Sequence, residues 1–413
     1  MARIEPFKGL RPRKDIVDKV ASPPYDVLNS QEAREFAKGN DFSFLHIVKP
    51  EIDLLEGTDL YSDRVYAKAK ENFERFQKER ILIKDDKKNF YIYKQIWKGH
   101  IQIGLVAGAS AKDYQDDVIK KHELTREDKE KDRMRHIETL NANTGPVFLT
   151  FRQKKEIDNL FEKAMQGEPE YDFVSENEVR HIFYVVRDEN LINSIKDEFS
   201  KLDHIYVADG HHRSASATKI KIKREKEDKN HTGNEEYNFF LSVIFPHNQM
   251  KILAYNRVVK DLNGLCKAEL FYKISENFEY KETEKKIPDS NHKFCMYIEG
   301  KWYLLRAKKG SFDEKNVVES LDVSILQNDL LDPVLGIKDP RKDERINFVG
   351  GIRGYKELER LVDKGKYKLA FSLFPTTIDQ LFDVADSGRN MPPKSTWFEP
   401  KLKSGLVTHL LEE

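Results

Sequence analysis

The segment Val207-Ala-Asp209-Gly210-His211-His212-Arg213-Ser214 holds a carboxylate, two imidazoles, a guanidinium and a hydroxyl within six positions. The apolar run His204–Ala208 before it predicts a strand, Gly210 permits a tight turn, and a helix is expected from about Arg213 to Lys229. The free N–H groups and positive dipole end of a helix start receive anions. Arg213 adds a bidentate phosphate donor, and Ser214 and Ser216 add hydroxyls. His211 and His212 can donate to phosphate oxygens or shuttle protons. Asp209 stands where it can take a proton from a hydroxyl or hold a divalent metal. Zinc is disfavoured, because sequence neighbours point apart and no cysteine lies near. The bland alternative is a capped turn with solvated histidines; the density of reactive types in one turn favours function.

A second constellation is Lys120-Lys121-His122-Glu123-Leu-Thr-Arg126, continuing to Arg133. Residues 112–141 are charge-dense and predict one helix, on which His122, Arg126, Arg133 and His136 share a face. That face can grip phosphate, with Glu123 as a general base; a solvated face laced with ion pairs is the competing reading. Arg345-Ile-Asn-Phe-Val-Gly-Gly-Ile-Arg353-Gly suggests a strand, a glycine turn and a helix, an anion nest into which Arg353 reaches. Its glycines fit neither standard nucleotide fingerprint, and a plain tight turn accounts for them as well. Met391-Pro-Pro-Lys394-Ser-Thr-Trp-Phe-Glu-Pro400 is a rigid polar loop, suited to a substrate or merely to tying down the C-terminus. No phosphate-binding loop of the Gly-x-x-x-x-Gly-Lys-Ser/Thr type, kinase loop set or Gly-x-Ser-x-Gly elbow occurs.

The elements that must position these groups alternate in type. A helix is predicted near 60–80, with Tyr66, Ala69, Phe73 and Phe76 on one face. A hairpin pairs Phe90–Trp97 with His100–Ala107 across Lys98-Gly99. Further strands are expected at 147–151, 181–186, 239–245, 252–259, 293–298, 302–306, 345–349 and 369–373. The fold class is therefore mixed α/β. Three segments are expected: 1–110 with the helix and hairpin, 111–264 as the phosphate-binding centre, and 265–413 as a C-terminal α/β unit.

Composition narrows the function classes. The 413 residues carry 71 basic and 71 acidic side chains, so no global field draws the chain to nucleic acid or anionic membrane. Any anion site must be local. Cys266 and Cys295 have no metal-ligand spacing and form no disulfide framework, which fits a reducing compartment. No secretory leader opens the sequence and no apolar window approaches a membrane span, so a soluble cytoplasmic location is expected.

Several stretches also resemble a known family. They are Pro6-Phe-Lys-Gly-Leu-Arg-Pro, Ala21-Ser-Pro-Pro-Tyr-Asp-Val, Lys120-Lys-His-Glu-x-Thr-Arg and Ala208-Asp-Gly-His-His-Arg, with Tyr255-Asn-Arg-Val-Val-Lys-Asp-Leu, Phe348-Val-Gly-Gly-Ile-Arg-Gly and Met391-Pro-Pro-Lys-Ser-Thr-Trp-Phe-Glu-Pro-Lys. Together they resemble the pyrophosphate-dependent serine kinases, long catalogued only as a domain of unknown function. The Asp-Gly-His-His-Arg turn is also similar to the phosphate loop of the ParB/sulfiredoxin superfamily, which includes ADP-dependent free-serine kinases.

The resemblance implies a ParB/sulfiredoxin-like centre. It implies an enzyme converting L-serine and diphosphate to O-phospho-L-serine and phosphate, feeding serine and cysteine metabolism. Phosphoryl transfer of this kind usually enlists Mg²⁺, with ligands that the sequence does not identify. Asp209, Glu123, His211 and His212 are then the catalytic candidates. Gly210, Arg213, Ser214, Lys121, Arg126, Arg133, Arg353 and Lys394 are the phosphate-binding ones, provided folding brings their segments together. The alternatives are an ADP- or ATP-dependent small-molecule kinase, or a ParB-like nucleotide- or DNA-binding protein, against which the balanced charge argues. A sulfiredoxin-like reductase needs a reactive cysteine where His211 and His212 stand.

Overall fold

A computed structural model describes residues 2–412. The chain forms two compact units, Met1–Met250 with Pro400–Glu413 and Lys251–Glu399. The fold is mixed α/β, as expected.

The first unit is built on a nine-stranded mixed sheet. Its main path runs Ile119–Lys120, Ile205–Asp209, Val147–Phe151, Phe239–Pro246, His100–Ser110, Phe90–Trp97, Arg180–Val186 and Tyr171–Val174; Ile4–Glu5 pairs with His100–Ser110 off this path. The hairpin turns at Lys98 and Gly99, with φ of 48° and 79°. Two successive left-handed residues suit the twist of paired strands. Ile92, Leu105, Leu149, Val207 and Ile244 pack with the helix residues Ile157, Phe161, Ile195 and Phe199 in one core. Helix Asp63–Lys78 buries Tyr66, Ala69, Phe73 and Phe76, the last three within a second cluster around Phe44 and Leu45.

The second unit carries a six-stranded antiparallel sheet in the order Phe278–Glu282, Lys301–Ala307, Lys293–Ile298, Leu369–Leu373, Tyr255–Val259, Ile346–Gly350. Leu358, Leu361 and Val362 of helix Gly354–Asp363 pack on Val258, Cys295 and Tyr297. Lys251–Leu253 pairs separately with Trp397–Glu399.

Three expectations are corrected here. The divisions at 110 and 264 do not match the two units: His100–Ser110 pairs with Phe239–Pro246 inside one sheet, whereas Tyr255–Val259 belongs to the second sheet. The predicted strand 252–259 is two strands with different partners. The predicted helix 112–141 is a short helix Ala111–Gln115, a strand Ile119–Lys120, an irregular stretch and helix Glu127–Leu140. Asp117 turns left-handed at φ 58°, and Ile119 pairs with Ile205, so sheet pairing overrides the local preference for helix. Among the described residues, no helix is long and apolar enough to cross a membrane.

Candidate functional site

Strand Ile205–Asp209 delivers Asp209 to the sheet edge of a turn, and helix His211–Glu227 starts two residues earlier than expected, at the histidine pair itself. Gly210 is its N-cap, left-handed at φ 98°, and no side chain caps the helix. A Cβ at Gly210 would meet the Arg213 guanidinium at 3.1 Å. Glycine is therefore required twice, by the backbone and by the arginine lying over it.

Two distant segments reach Arg213. Its Nη2 lies 3.5 Å from Asp26 Oδ2 and 3.9 Å from Asp209 Oδ1, and Nη1 donates to the Pro146 carbonyl. The buried Nε has no partner. Lys401 Nζ donates to Asp209 Oδ2 at 2.8 Å. The arrangement is tied together by Ser22 and Ser404, whose N–H and carbonyl groups bond reciprocally at 3.0 and 2.9 Å. Gln95 of the hairpin donates to the Lys401 carbonyl at 3.0 Å. Burial pushes the Asp209 carboxyl up, but Lys401 and Arg213 outweigh it and hold the group well below the usual carboxylate range.

The two histidines divide their surroundings. His211 is buried, with its ring edge-on to His122 at 4.4 Å between centroids. Its Nδ1 lies 3.6 Å from Glu123 Oε2, and its buried Nε2 has no partner. Burial first, and His122 next, depress the His211 pKa, and burial brings His122 down to about 4. Both shifts favour the neutral ring. His212 is half-buried, and its Nε2 accepts the Arg126 backbone N–H at 3.1 Å, pinning the 121–126 stretch onto the helix.

The remaining sequence candidates are placed as follows. Ser214 is fully buried and its hydroxyl donates to the His211 carbonyl at 3.1 Å; Ser216 donates to the Glu130 carbonyl at 3.2 Å. The first bond lies within the helix, and the second ties it to helix Glu127–Leu140. Lys121 Nζ donates to the Tyr114 carbonyl at 2.8 Å, and exposed Arg126 pairs with Asp128 at 2.7 Å. Arg133 pairs with Asp132 at 2.7 Å and lies 4.1 Å over the Tyr25 ring. The expected cationic face of one long helix is thus replaced by separately paired side chains. Arg353 and Lys394 belong to the second unit, Arg353 ending the turn Gly351–Arg353 and Lys394 sitting at φ 59°.

Asp26 and Lys401 were not singled out from sequence, although both lie in stretches that carried the family resemblance. The signal was their presence in those stretches, which spacing along the chain does not connect to Arg213. Among the described residues, no group of three or more His, Cys, Asp or Glu side chains is arranged to hold a metal. Asp26 and Asp209 flank one guanidinium nitrogen of Arg213. A cavity of about 740 Å³ lined by Arg224, Asp228 and Tyr237 sits at the far end of the same helix. Seventeen residues of helix separate the two ends by roughly 25 Å, so it is a different place from the turn.

Residues 4–324 match the family model described as "Protein of unknown function (DUF1015)", and the chain belongs to that family. A comparison with curated proteins gave no match. Among solved structures, a free serine kinase in complex with AMP is 14% identical with a TM-score of 0.36, covering 70% of this chain and 89% of that one. SbnI with a C-terminal truncation from Staphylococcus aureus is 12% identical with a TM-score of 0.38, covering 74% and 87%. A conserved hypothetical protein from Pyrococcus furiosus is 15% identical with a TM-score of 0.34, covering 70% and 91%. Scores this low bear on neither activity nor ligand.

Proposed function

We propose that the chain is a phosphotransferase that moves a phosphoryl group from diphosphate to the hydroxyl of L-serine. The observation that carries this reading is the meeting of Glu123 with His211 and of Asp209 with Arg213 at one uncapped helix start. Diphosphate is small and highly charged, so it needs a compact set of N–H and guanidinium donors rather than a long groove. Arg213 and the first backbone N–H groups of the helix supply that set.

In the proposed reaction the serine Oγ attacks one phosphorus. The Oγ–P bond forms, the bridging P–O bond breaks, and phosphate leaves with its electron pair. The hydroxyl proton passes to His211 Nε2, the partnerless nitrogen of a neutral ring. Glu123, facing Nδ1, steadies the imidazolium that results. Asp209 stays ionised and orients Lys401 and Arg213, a positioning role in place of the base role first considered for it. Asp26 and Asp209 would hold a Mg²⁺ ion arriving with diphosphate, a mode in which two carboxylates suffice. The ion would neutralise charge on the phosphate oxygens.

The test is phosphoserine formation from L-serine by nucleotide-free protein with Mg²⁺, followed by phosphorus NMR, with pyrophosphate, ATP and ADP in separate reactions. Pyrophosphate is expected to support transfer, with little or none from either nucleotide. Transfer from ATP or ADP alone overturns the donor, and no phosphoserine from any of the three overturns the reading.

A further inference from the structure

The second unit contains a buried cation that the proposed reaction does not use. Arg257 lies in strand Tyr255–Val259 with 3% of its surface exposed. Its Nη1 donates to the Tyr255 carbonyl and its Nη2 to the Lys394 carbonyl at 3.1 Å. The guanidinium sits 5.5 Å over the Phe348 ring. Among the described residues, no carboxylate comes within ion-pair distance of it.

Arg11 makes the contrast plain. It is also buried, at 8%, yet it holds Asp85 at 2.6 Å and Glu170 at 3.3 Å. A guanidinium has five donors, and two carbonyls leave Arg257 with donors and a full charge to spare. Burial pulls its pKa down to about 10, the sign of a charge whose desolvation is poorly compensated. Asp322, which attracts it weakly, is itself pushed up by burial to about 7 and so does not supply a firm counter-charge.

A second cation stands on the same loop. Lys394 offers its carbonyl to Arg257, and its own Nζ lies 5.4 Å over Tyr255. Lys394 makes no ion pair among the described residues. Its left-handed φ of 59° is an unfavourable conformation for lysine that the loop nevertheless keeps. Tyr255 packs edge-on against both Phe348 and Trp397, at 6.2 and 5.1 Å, giving the two cations an apolar bed.

We propose that Arg257 and Lys394 form an oxyanion-binding corner of the second unit, taking a phosphate or carboxylate group on the Arg257 fork. An anion there supplies the missing counter-charge, and the aromatic bed strengthens it by excluding water. This site stands whether or not the first unit transfers phosphoryl groups. The competing account is that Arg257 only ties the Lys394 loop to its strand through carbonyls.

Hydrogen–deuterium exchange on the full chain separates the two, with inorganic phosphate and acetate as probes at matched ionic strength. Phosphate, acetate or both are expected to slow exchange across 391–399 in the wild type, and the better protector names the group preferred. Lys394→Ala and Arg257→Lys should each raise the half-protecting concentration by about tenfold or more. Arg213→Ala, which acts on the helix start of the first unit, should leave that protection intact. Absence of protection at 391–399 with both probes overturns the proposal, as does protection that survives in Lys394→Ala. Lys394 is exposed, so that variant carries the test even if Arg257→Lys fails to fold.

Discussion

Lys401 Nζ donates to the Asp209 carboxylate at 2.8 Å across 192 positions of chain. The last segment of the protein thereby completes a turn laid down by the middle of it. Lys401→Met should cost about 1 to 2 kcal/mol of stability, because the pair is only partly buried. It should lower phosphoserine turnover far more, by about tens- to hundredfold, since Asp209 then orients Arg213 alone. Thermal melts and steady-state rates on one preparation check both; unchanged turnover removes Lys401 from the site.

Arg213 is expected to matter most to donor binding. Arg213→Ala should reduce turnover by about ten- to a thousandfold, the loss of a charged donor from a water-poor site. The effect should fall on the pyrophosphate KM as well as on kcat, while the KM for serine changes little. Normal pyrophosphate kinetics in this variant excludes the helix start as the donor site.

The carboxylates should separate by mechanism. Glu123→Gln keeps shape but removes the counter-charge of the His211 imidazolium, so kcat should fall with donor binding preserved. Asp209→Asn should impair both kcat and pyrophosphate binding, because Lys401 and Arg213 lose their shared anchor. Wild-type kcat in Glu123→Gln across pH would remove the proton-transfer role from the Glu123–His211 pair.

Much of this architecture was readable from local pattern. Lys98-Gly99 between alternating apolar runs announced the hairpin, and Val147–Phe151, Lys293–Ile298 and Leu369–Leu373 occur within the bounds their apolar runs predicted. Charge density misled in residues 112–141, since Lys120 lies in a strand paired with Ile205–Asp209 and His122 in an irregular stretch packed against His211. The approach of Asp26 to Arg213 and of Lys401 to Asp209 is accompanied by the Ser22–Ser404 bridge, a pairing that no local periodicity encodes. Arg257 also lies in a stretch that carries the resemblance, but in sequence it is an ordinary strand arginine, and burial without a carboxylate is what distinguishes it.

Acid should unfold the protein through buried histidines. Burial lowers His122 and His136 to about 4 and His181 to about 3, below the ordinary value near 6.5. Between those values the unfolded chain binds protons that the folded chain refuses, so stability rises with pH. The stabilisation is complete above about pH 6.5 and is lost as pH falls toward 4, on the order of 3 kcal/mol for each such histidine. His136 Nε2 meets the Ile47 carbonyl at 3.0 Å. His136→Gln keeps a donor there without the titration, so its Tm should fall less steeply between pH 6.5 and 4. An unchanged slope would show that His136 takes no part.

Gly210 and Gly99 provide a matched pair of substitutions that separates backbone strain from loss of the site. Both are left-handed, at φ 98° and 79°, so alanine at either position should cost roughly 1 to 2 kcal/mol. A Cβ at Gly99 meets nothing within 4 Å, whereas one at Gly210 meets the Arg213 guanidinium at 3.1 Å. Arg213 must then move by a few tenths of an ångström, away from the position set by Pro146 and Asp26. Transferring groups tolerate such displacement poorly, because catalysis here rests on positioning. Gly99→Ala is therefore expected to lower Tm with turnover intact, and Gly210→Ala to lower Tm similarly while reducing turnover by about tenfold or more. Melting curves and phosphoserine rates on the two variants decide it. Equal turnover in both would mean that Arg213 needs no exact seat over Gly210, and the account of the turn as a donor cradle would fail.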